Sequence, residues 1–184
     1  MITLGLSSRN RHPQGFSLIE LMAVLAIVVI LIGVGVPSFV AFLQEIRISA
    51  TANDFFSSIH LARTEAIRRN TRVDMVPADD GGDWSKGWVV FVDENANQRP
   101  DAREQVIFSR GPAPKPIRIT ANLTDSTVQY IAYNGTGRSR TNSSSYRTQF
   151  GTFTFNSDGK VRKIKLNFLG RPRLCNPDIE KHTC

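Results

Sequence analysis

The sequence predicts an α+β fold in which one long N-terminal helix packs on an antiparallel β-sheet domain. Helical patterning is confined to one continuous stretch, residues 18–70. After it come short segments rich in β-branched and aromatic residues, separated by turns that contain Gly, Pro, Asn and Asp. One helix followed by consecutive strands is typical of α+β domains and not of alternating βαβ units.

The first half of the predicted helix is apolar enough to cross a membrane. Between residues 18 and 43 the only charged side chain is Glu20. A helix rises ~1.5 Å per residue, so this stretch is long enough for a hydrocarbon core of ~30 Å. The residues before it carry Arg9 and Arg11 but no acid, and such a positive end stays in the cytoplasm. We therefore expect the rest of the chain to lie across the membrane.

The second half of the helix is amphipathic. Gly33, Gly35 and Pro37 weaken helical hydrogen bonding and predict a bend or local melting, after which the helical period resumes. Apolar residues then recur at steps of three and four, which predicts a face that packs on the sheet. This stripe consists of Ile48, Ala52, Phe55, Ile59, Ala62 and Ala66.

Segments with strand composition follow the helix. An Asn-Ser-Asp-Gly turn at residues 156–159 predicts a hairpin, and a Gly/Ser/Arg-rich loop is expected over residues 135–146. The predicted strands cover residues 72–76, 86–92, 104–110, 117–122, 127–133, 149–155 and 161–168.

Positive charge is concentrated in the last third of the chain. The formal net charge of the whole sequence is +7. Residues 134–184 hold ten Lys or Arg against three acids, and residues 16–133 carry a net charge of −2. An anionic partner is therefore expected at the C-terminal region and not over the whole surface.

The basic residues of this region form a candidate binding site for nucleic acid. Lys163 and Lys165 share one strand face with Val161, because side chains alternate along a strand. The following Gly-Arg-Pro-Arg loop offers two guanidinium groups that can bind phosphates bidentately, on a backbone that Gly opens to a ligand and Pro restrains. The candidate DNA-binding residues are Arg138, Arg140, Lys160, Arg162, Lys163, Lys165, Gly170, Arg171 and Arg173.

Two other uses of these charges stay open. The loop can dock to an acidic neighbouring protein, or it can simply be solvated. Because aromatic residues are sparse in this region, we expect contact with the DNA backbone and little sequence preference.

Cys175 and Cys184 are the only cysteines. If the body of the protein lies outside the cytoplasm, we expect them to form a disulfide that closes a small loop. The alternative is two free thiols. A zinc site is not expected, since His182 alone adds only one ligand.

Oxygen-bearing side chains after the second predicted strand have the spacing of a calcium loop. They fall at positions 1, 3, 5, 9 and 12 of that pattern. Gln98 replaces the Gly that the sharp turn needs, and the flanks are predicted strands, so the alternative is a hairpin loop stabilised by Asx turns. The five residues are Asp93, Asn95, Asn97, Asp101 and Glu104.

The sequence predicts no enzymatic activity. No nucleophile–base arrangement is evident, and the three histidines are His12, His60 and His182, the first in the leader and the last near the C-terminus. No Gly-rich phosphate loop of the Walker type occurs. Apart from the weak calcium pattern, no cofactor is expected.

The junction Gly15-Phe16-Ser17-Leu18-Ile19-Glu20 resembles that of type IV prepilins. The resemblance implies that a prepilin peptidase cuts after Gly15 and methylates the new amino terminus, Phe16. It also implies that Glu20 neutralises the terminal amine of a neighbouring subunit, which removes a cost of at least ~2.5–3.5 kcal/mol for a carboxylate in lipid. The alternative, which can hold at a different stage, is that Glu20 lies close enough to the interface to reach water.

The same resemblance implies a leader at residues 1–15, a transmembrane helix at 16–43 and a periplasmic domain at 44–184, anchored in the bacterial inner membrane. An uncleaved membrane anchor is the alternative.

Three later segments resemble the FimT/GspH group of minor pilins and pseudopilins. They are W-V-V-F-V-D-E-N-A-N from Trp88, the Tyr133-Asn134-Gly135 turn and the F-T-F-N-S-D-G-K hairpin from Phe153. The resemblance implies a minor pilin that joins other pilins in a type IV pilus and helps its assembly.

FimT-like members from naturally transformable bacteria bind incoming double-stranded DNA through a C-terminal Gly-Arg-x-Arg motif. Gly170, Arg171 and Arg173 match that motif, which implies a role in competence. Two rival interpretations remain: a pseudopilin of the type II secretion system, of the protein H type, and a membrane-tethered calcium-binding domain that is never cleaved or polymerised.

Overall fold

A computed structural model of the protein describes residues 15–142 and 147–184. The predicted leader up to residue 14, and residues 143–146 of the predicted loop, lie outside the described residues. The chain divides into two compact units, Met1–Ala41 and Phe42–Cys184.

One long helix, α1 (Leu18–Arg69), confirms the helix predicted over residues 18–70. The Ser17 hydroxyl accepts a hydrogen bond from the backbone N–H of Glu20 at 3.3 Å, which satisfies one of the amides that a helix start leaves free. The helix continues through Pro37 without interruption, so the local melting predicted there is wrong.

In the first unit, the described part of α1 is exposed along its whole length. Among the residues that the structure describes, α1 is the one helix long and apolar enough to cross a membrane. Leu18 and Ile19 are 76% and 77% exposed, for example. A surface of this kind needs lipid or other apolar chains around it.

The second unit holds the strands, which form two antiparallel sheets where the sequence predicts one. The strands are β1 (Val73–Pro77), β2 (Trp88–Val92), β3 (Val106–Arg110), β4 (Arg118–Leu123), β5 (Ile131–Tyr133), β6 (Ser139–Arg140), β7 (Gly151–Ser157), β8 (Lys160–Leu166) and β9 (Pro172–Cys175). Sheet A has the order β3-β2-β1-β5-β6, and sheet B has the order β4-β7-β8-β9.

The second half of α1 packs its predicted stripe into one core that both sheets share. Phe55 lies at the centre of an aromatic cluster, with ring centroids 4.9 Å from Trp88 and 4.9 Å from Phe153. The Trp88 indole N–H donates to the Ser58 hydroxyl at 2.9 Å, so the polar atom of this buried ring is satisfied. The stripe positions predicted from the helical period are all fully buried.

Two strands go beyond the predicted set. β6 lies inside the segment predicted as a loop, and β9 includes Pro172, which the sequence predicts to restrain a loop. β9 pairs with β8 alone, and an edge strand tolerates proline because no second partner needs its missing N–H. The predicted strand at 127–133 is shortened to β5, since Asp125 accepts from the backbone N–H of Thr127 in an Asx turn at 3.3 Å.

Candidate nucleic-acid interface

Sheet B concentrates basic residues and excludes acidic ones. Its four strands contain six Lys or Arg and no Asp or Glu. Ile164 and Leu166 of β8 point into the core, so the alternate residues Val161, Lys163 and Lys165 lie on the outer face, as the sequence predicts. The outer face of sheet B is therefore a polar surface of positive charge.

The strand register extends this outer face onto β9. Lys165 lies directly opposite Arg173, and Lys163 lies directly opposite Cys175. Side chains of directly opposed residues emerge on the same face of a sheet, so Lys165 and Arg173 are neighbours. The structure thus brings together two of the predicted contacts that are eight residues apart in the sequence.

Arg162 is on the other face, and the geometry does not support its predicted role in DNA binding. The residue is buried, and its guanidinium forms an ion pair with Glu45 of α1. The same group donates to the backbone carbonyl of Val161 at 2.7 Å. Strand alternation alone places Arg162 beside Ile164, on the face that meets the helix. Arg162 joins α1 to sheet B and is not presented to a ligand.

A disulfide loop lies over the edge of the outer face of sheet B that carries Lys163, Lys165 and Arg173, which we call the basic face. Cys175 and Cys184 form the predicted disulfide, with Cα atoms 5.7 Å apart. Within the loop that they close, Glu180 forms an ion pair with Arg173. Lys165 donates to the backbone carbonyl of Thr183 at 3.2 Å. The loop therefore holds two of the cationic side chains in place, and Glu180 occupies Arg173 with an internal anion.

Gly170 has a packing role that the sequence does not reveal. Its φ is +73°, and a Cβ there would lie 2.8 Å from the backbone nitrogen of Ser139 and 2.8 Å from Cε1 of Tyr133. The Tyr133 hydroxyl donates to the Gly170 carbonyl at 2.7 Å, and burial raises the pKa of Tyr133, which keeps that hydroxyl protonated. The close approach that glycine permits is to the protein's own chain.

Arg171, like Arg173, is an exposed arginine of the predicted motif. It is exposed at the end of a turn in which its backbone N–H donates to the Asn167 side chain at 3.0 Å. The backbone N–H of Asn167 donates in turn to the Arg171 carbonyl at 3.1 Å, which continues the β8–β9 ladder by one pair. This turn fixes the backbone at Arg171 and leaves its side chain at the surface.

Of the remaining predicted basic residues, Arg138 and Arg140 border the same turn, whereas Lys160 lies at the opposite end of β8. Arg138 is exposed and Arg140 is half-buried, and Ser139 between them lies close to the Gly170 backbone. Lys160 is half-buried at the start of β8. The segment around β6 therefore supplies additional positive charge next to the turn at residues 167–171, although it belongs to sheet A.

The predicted processing and assembly residues lie in the first unit. Gly15 and Phe16 precede α1 and are exposed, and Phe16 is 80% exposed. Glu20 lies in the first turn of the helix, where a carboxylate is favoured by the helix dipole. Accessible residues ahead of the helix are what a peptidase acting after Gly15 needs.

The calcium pattern folds into a hydrogen-bonded loop. Asp93 accepts from the backbone N–H groups of Asn97 and Gln98 at 3.2 and 3.1 Å, and it lies 3.4 Å from the guanidinium of Arg72. Asp101 accepts from the side-chain amides of Asn95 and Asn97 at 2.7 and 2.9 Å. These contacts are those of the Asx-stabilised hairpin loop, in which loop amides use the carboxylate oxygens.

Sequence reasoning missed three residues that shape the site. Glu45 and Tyr133 act from other elements, and no local pattern links them to β8 or to the turn. Glu180 could have been predicted from the sequence. It lies in the short loop that the predicted disulfide closes, close in the chain to Arg171 and Arg173, and an acid at such a distance is an expected counterion.

An apolar N-terminal helix that continues into a two-sheet α+β domain, with the predicted processing junction ahead of it, defines the class of type IV minor pilins and pseudopilins. The chain belongs to the GspH family of type II transport proteins, whose family model matches residues 51–170. The prokaryotic N-terminal methylation motif matches residues 10–36.

Known proteins agree with this assignment. The pilin-like protein PilA1 of Thermus thermophilus is 34% identical over 92 residues, which are 50% of this chain and 56% of PilA1. The chain thus matches little more than half the length of that relative.

Two solved structures share the fold. The type IV minor pilin FimU of Pseudomonas aeruginosa superposes with a TM-score of 0.56 at 19% identity, covering 74% of this chain and 94% of FimU. The minor pseudopilin EpsH of the type 2 secretion system of Vibrio cholerae superposes with a TM-score of 0.50 at 12% identity, covering 71% and 98%.

Proposed function

We propose that this protein is a minor pilin of a type IV pilus that helps assemble the filament and binds DNA during uptake. Its N-terminus supports the first part: the methylation motif covers the Gly15 junction, and an apolar helix follows it. A prepilin peptidase cleaves after Gly15 and methylates Phe16, in the bacterial inner membrane. Glu20 then neutralises the terminal amine of the adjacent pilin, with which the helix packs.

The basic residues of sheet B, whose four strands contain no acidic residue, support the second part. Lys163, Lys165 and Arg173 lie on one face of β8 and β9, and Arg171 is exposed at the adjoining turn. Phosphate oxygens are recognised by such charge-assisted hydrogen bonds, and the DNA backbone is a regular array of them. β-Strand pairing and the disulfide loop already restrict these cationic side chains. Binding therefore loses less conformational entropy than binding by a free tail would.

A salt titration of DNA binding tests this proposal. The full chain in neutral detergent is mixed with labelled duplex DNA, and the affinity is measured across a series of salt concentrations. Arg171→Ala combined with Arg173→Ala weakens binding several-fold or more. The slope of log K against log salt falls by about 2 in magnitude, since each lost phosphate contact contributes ~0.9.

Arg99→Ala combined with Arg103→Ala is the matched control, because it removes the same charge from exposed positions outside sheet B. The two double variants separate a local site from a general effect of net charge. If the two double variants bind DNA with equal affinity, Arg171 and Arg173 have no specific role in DNA binding.

A pseudopilin of the type II secretion system is the second candidate. The family model carries that system's name, and the fold is shared with EpsH. In that case the basic face docks to an acidic neighbouring subunit, and duplex DNA binds no better to the parent than to the Arg171 and Arg173 double variant.

A further inference from the structure

A cleft crosses the end of sheet B at the border of the basic face. It has a volume of about 580 Å³, within the range of ~300–1,000 Å³ that is usual for ligand pockets. None of the described residues that line it is acidic. Its polar and aromatic lining consists of Asn122, Thr124, Phe150, Thr152, Lys165 and Asn167.

Strand register explains why these residues meet. Asn122 lies opposite Thr152, and Thr152 lies opposite Lys165, which itself lies opposite Arg173. The β4–β7 ladder continues one step further, where the backbone N–H of Thr124 donates to the Phe150 carbonyl at 2.9 Å. One row across the sheet therefore runs from an amide through a hydroxyl to two cations. Two residues further along the strands, where side chains return to the same face, Phe150 lies opposite Thr124.

Phe150 is 48% exposed beside these groups. An aromatic ring that stays half-exposed in a folded domain offers a flat apolar face to a ligand. Nucleic-acid bases stack on such rings, and the neighbouring cations bind the phosphates of the same strand. The amides of Asn122 and Asn167 and the hydroxyl of Thr152 are hydrogen-bonding groups of the kind that contact base edges.

We propose that this cleft binds an unpaired base of single-stranded DNA, stacked on Phe150, with the adjoining phosphates at Lys165 and Arg171. In a duplex the faces of the bases are covered by their neighbours, so Phe150 distinguishes an unpaired strand or frayed end from intact duplex. The inference rests on the proposed DNA binding and adds the class of strand that this end of sheet B prefers.

Abasic DNA isolates the contribution of stacking. The full chain in neutral detergent is titrated with a labelled oligothymidine of about 12 nucleotides, within the ~4–16-nucleotide sites of single-strand binding folds. A strand of equal length and charge that lacks bases is titrated in parallel. The base-bearing strand binds about five-fold tighter or more, because stacking contributes to affinity independently of charge.

Substitution of the ring identifies the residue responsible. Phe150→Leu removes the difference between the two strands, and Phe150→Trp retains it, because Trp keeps an aromatic face. Phe108→Leu, at a partly exposed ring on β3 of sheet A, leaves the difference unchanged. A 2-aminopurine in the strand loses fluorescence on binding the parent but not on binding Phe150→Leu.

Equal affinity of the parent for the two strands overturns the inference, and this comparison does not depend on any variant. So does a preference for bases that survives in a folded Phe150→Leu protein. If either result appears while the Arg171 and Arg173 double variant still weakens binding, the phosphate-binding face remains and only the base site is lost. If no DNA binds at all, both proposals fail.

Discussion

Gly170 combines a left-handed backbone with close packing, and these two constraints can be separated. Its φ of +73° disfavours any side chain, and a Cβ would also meet Ser139 and Tyr133. Gly159 in the β7–β8 turn has a similar φ of +82°, but a Cβ added there would have no atom of the described residues within 4 Å. The two glycines thus share the backbone constraint and differ in the packing constraint.

We predict that Gly170→Ala lowers stability more than Gly159→Ala. Gly159→Ala costs about 1 kcal/mol for the left-handed backbone alone, and Gly170→Ala costs about 2 kcal/mol or more, because the clash is added. Thermal melting of the full chain in detergent, followed by circular dichroism, measures both. Equal losses would show that the turn moves away from Ser139 without cost.

Glu180 is an internal competitor for the anion that Arg173 is proposed to bind. Glu180→Gln removes its charge and frees the guanidinium, so the affinity for duplex DNA rises. Asp178→Asn removes the same charge from the same loop at an exposed position and gives the matched control. Fluorescence anisotropy measures both, and we expect the Gln variant to gain at least two-fold more than the Asn variant, where ~0.4 kcal/mol corresponds to a factor of two. Equal gains would mean that only net charge matters.

At this scale, much of the candidate site follows from the sequence and some of it does not. Alternation along β8 predicts that Lys163 and Lys165 face outwards, and the same alternation, applied to Arg162, predicts that it faces inwards. Phe150 could not be found in this way. Its position beside Lys165 depends on the pairing of β7 with both β4 and β8, which no local pattern contains.

Among the elements, β8 presents neighbouring cations to opposite environments. Arg162 is paired with Glu45 of α1, whereas Lys163 lies on the outer face. We predict that Arg162→Met lowers stability by about 1–3 kcal/mol, since it breaks a hydrogen-bonded ion pair, and leaves DNA affinity unchanged. We predict that Lys163→Met leaves stability nearly unchanged and lowers the affinity for DNA. Chemical denaturation and the DNA titration are both applied to each variant, and an affinity loss in a folded Arg162→Met protein would restore that residue to the site.

Glu65, near the end of α1, makes the stability of the second unit depend on pH in the acid range. Hydrogen bonds from Arg68 and then from Arg69 lower the pKa of Glu65 from 4.5 to about 2. A carboxyl group with a lower pKa in the folded state contributes stability above its unfolded pKa and loses it as the pH falls. The contribution is therefore complete above pH 4.5 and disappears between about 4.5 and 2.

We predict that Glu65→Gln flattens the acid side of the stability profile. Melting temperatures between pH 2 and pH 6 fall less steeply for this variant than for the parent. Glu94→Gln, an exposed acid in the loop after β2, serves as the control and keeps the parent slope. A parent-like slope in Glu65→Gln would assign the acid sensitivity to other carboxylates.

Element boundaries follow from the sequence where local chemistry decides them. The helix was predictable because its long apolar first half and the apolar stripe of its second half each indicate a helix from local sequence alone. β9 was not predictable, because proline disfavours a strand until the chain places it at a sheet edge. The division into two sheets depends on which strands find each other, and the strand patterns are alike in both.

For the whole molecule, the proposed processing makes a prediction about mass. The protein extracted from membranes of a producing strain with a prepilin peptidase lacks residues 1–15 and begins with methylated Phe16. Intact-mass spectrometry detects the loss and the added methyl group together. A strain without the peptidase supplies the control, in which the leader stays attached. A retained leader in both strains would exclude filament assembly by this route.

The exposed apolar half of α1 also restricts how the subunit can be transferred out of the membrane. Its side chains have no covering partners within the described part of the first unit, and burial of such surface is worth ~25 cal/mol per Å². Exposing this surface to water would therefore cost a large free energy. We expect the helix to leave lipid only where other apolar surfaces cover it at once. For the proposed membrane-anchored subunit, we therefore expect any machinery that moves it to act at the bilayer plane and to transfer the helix directly from one apolar environment to another.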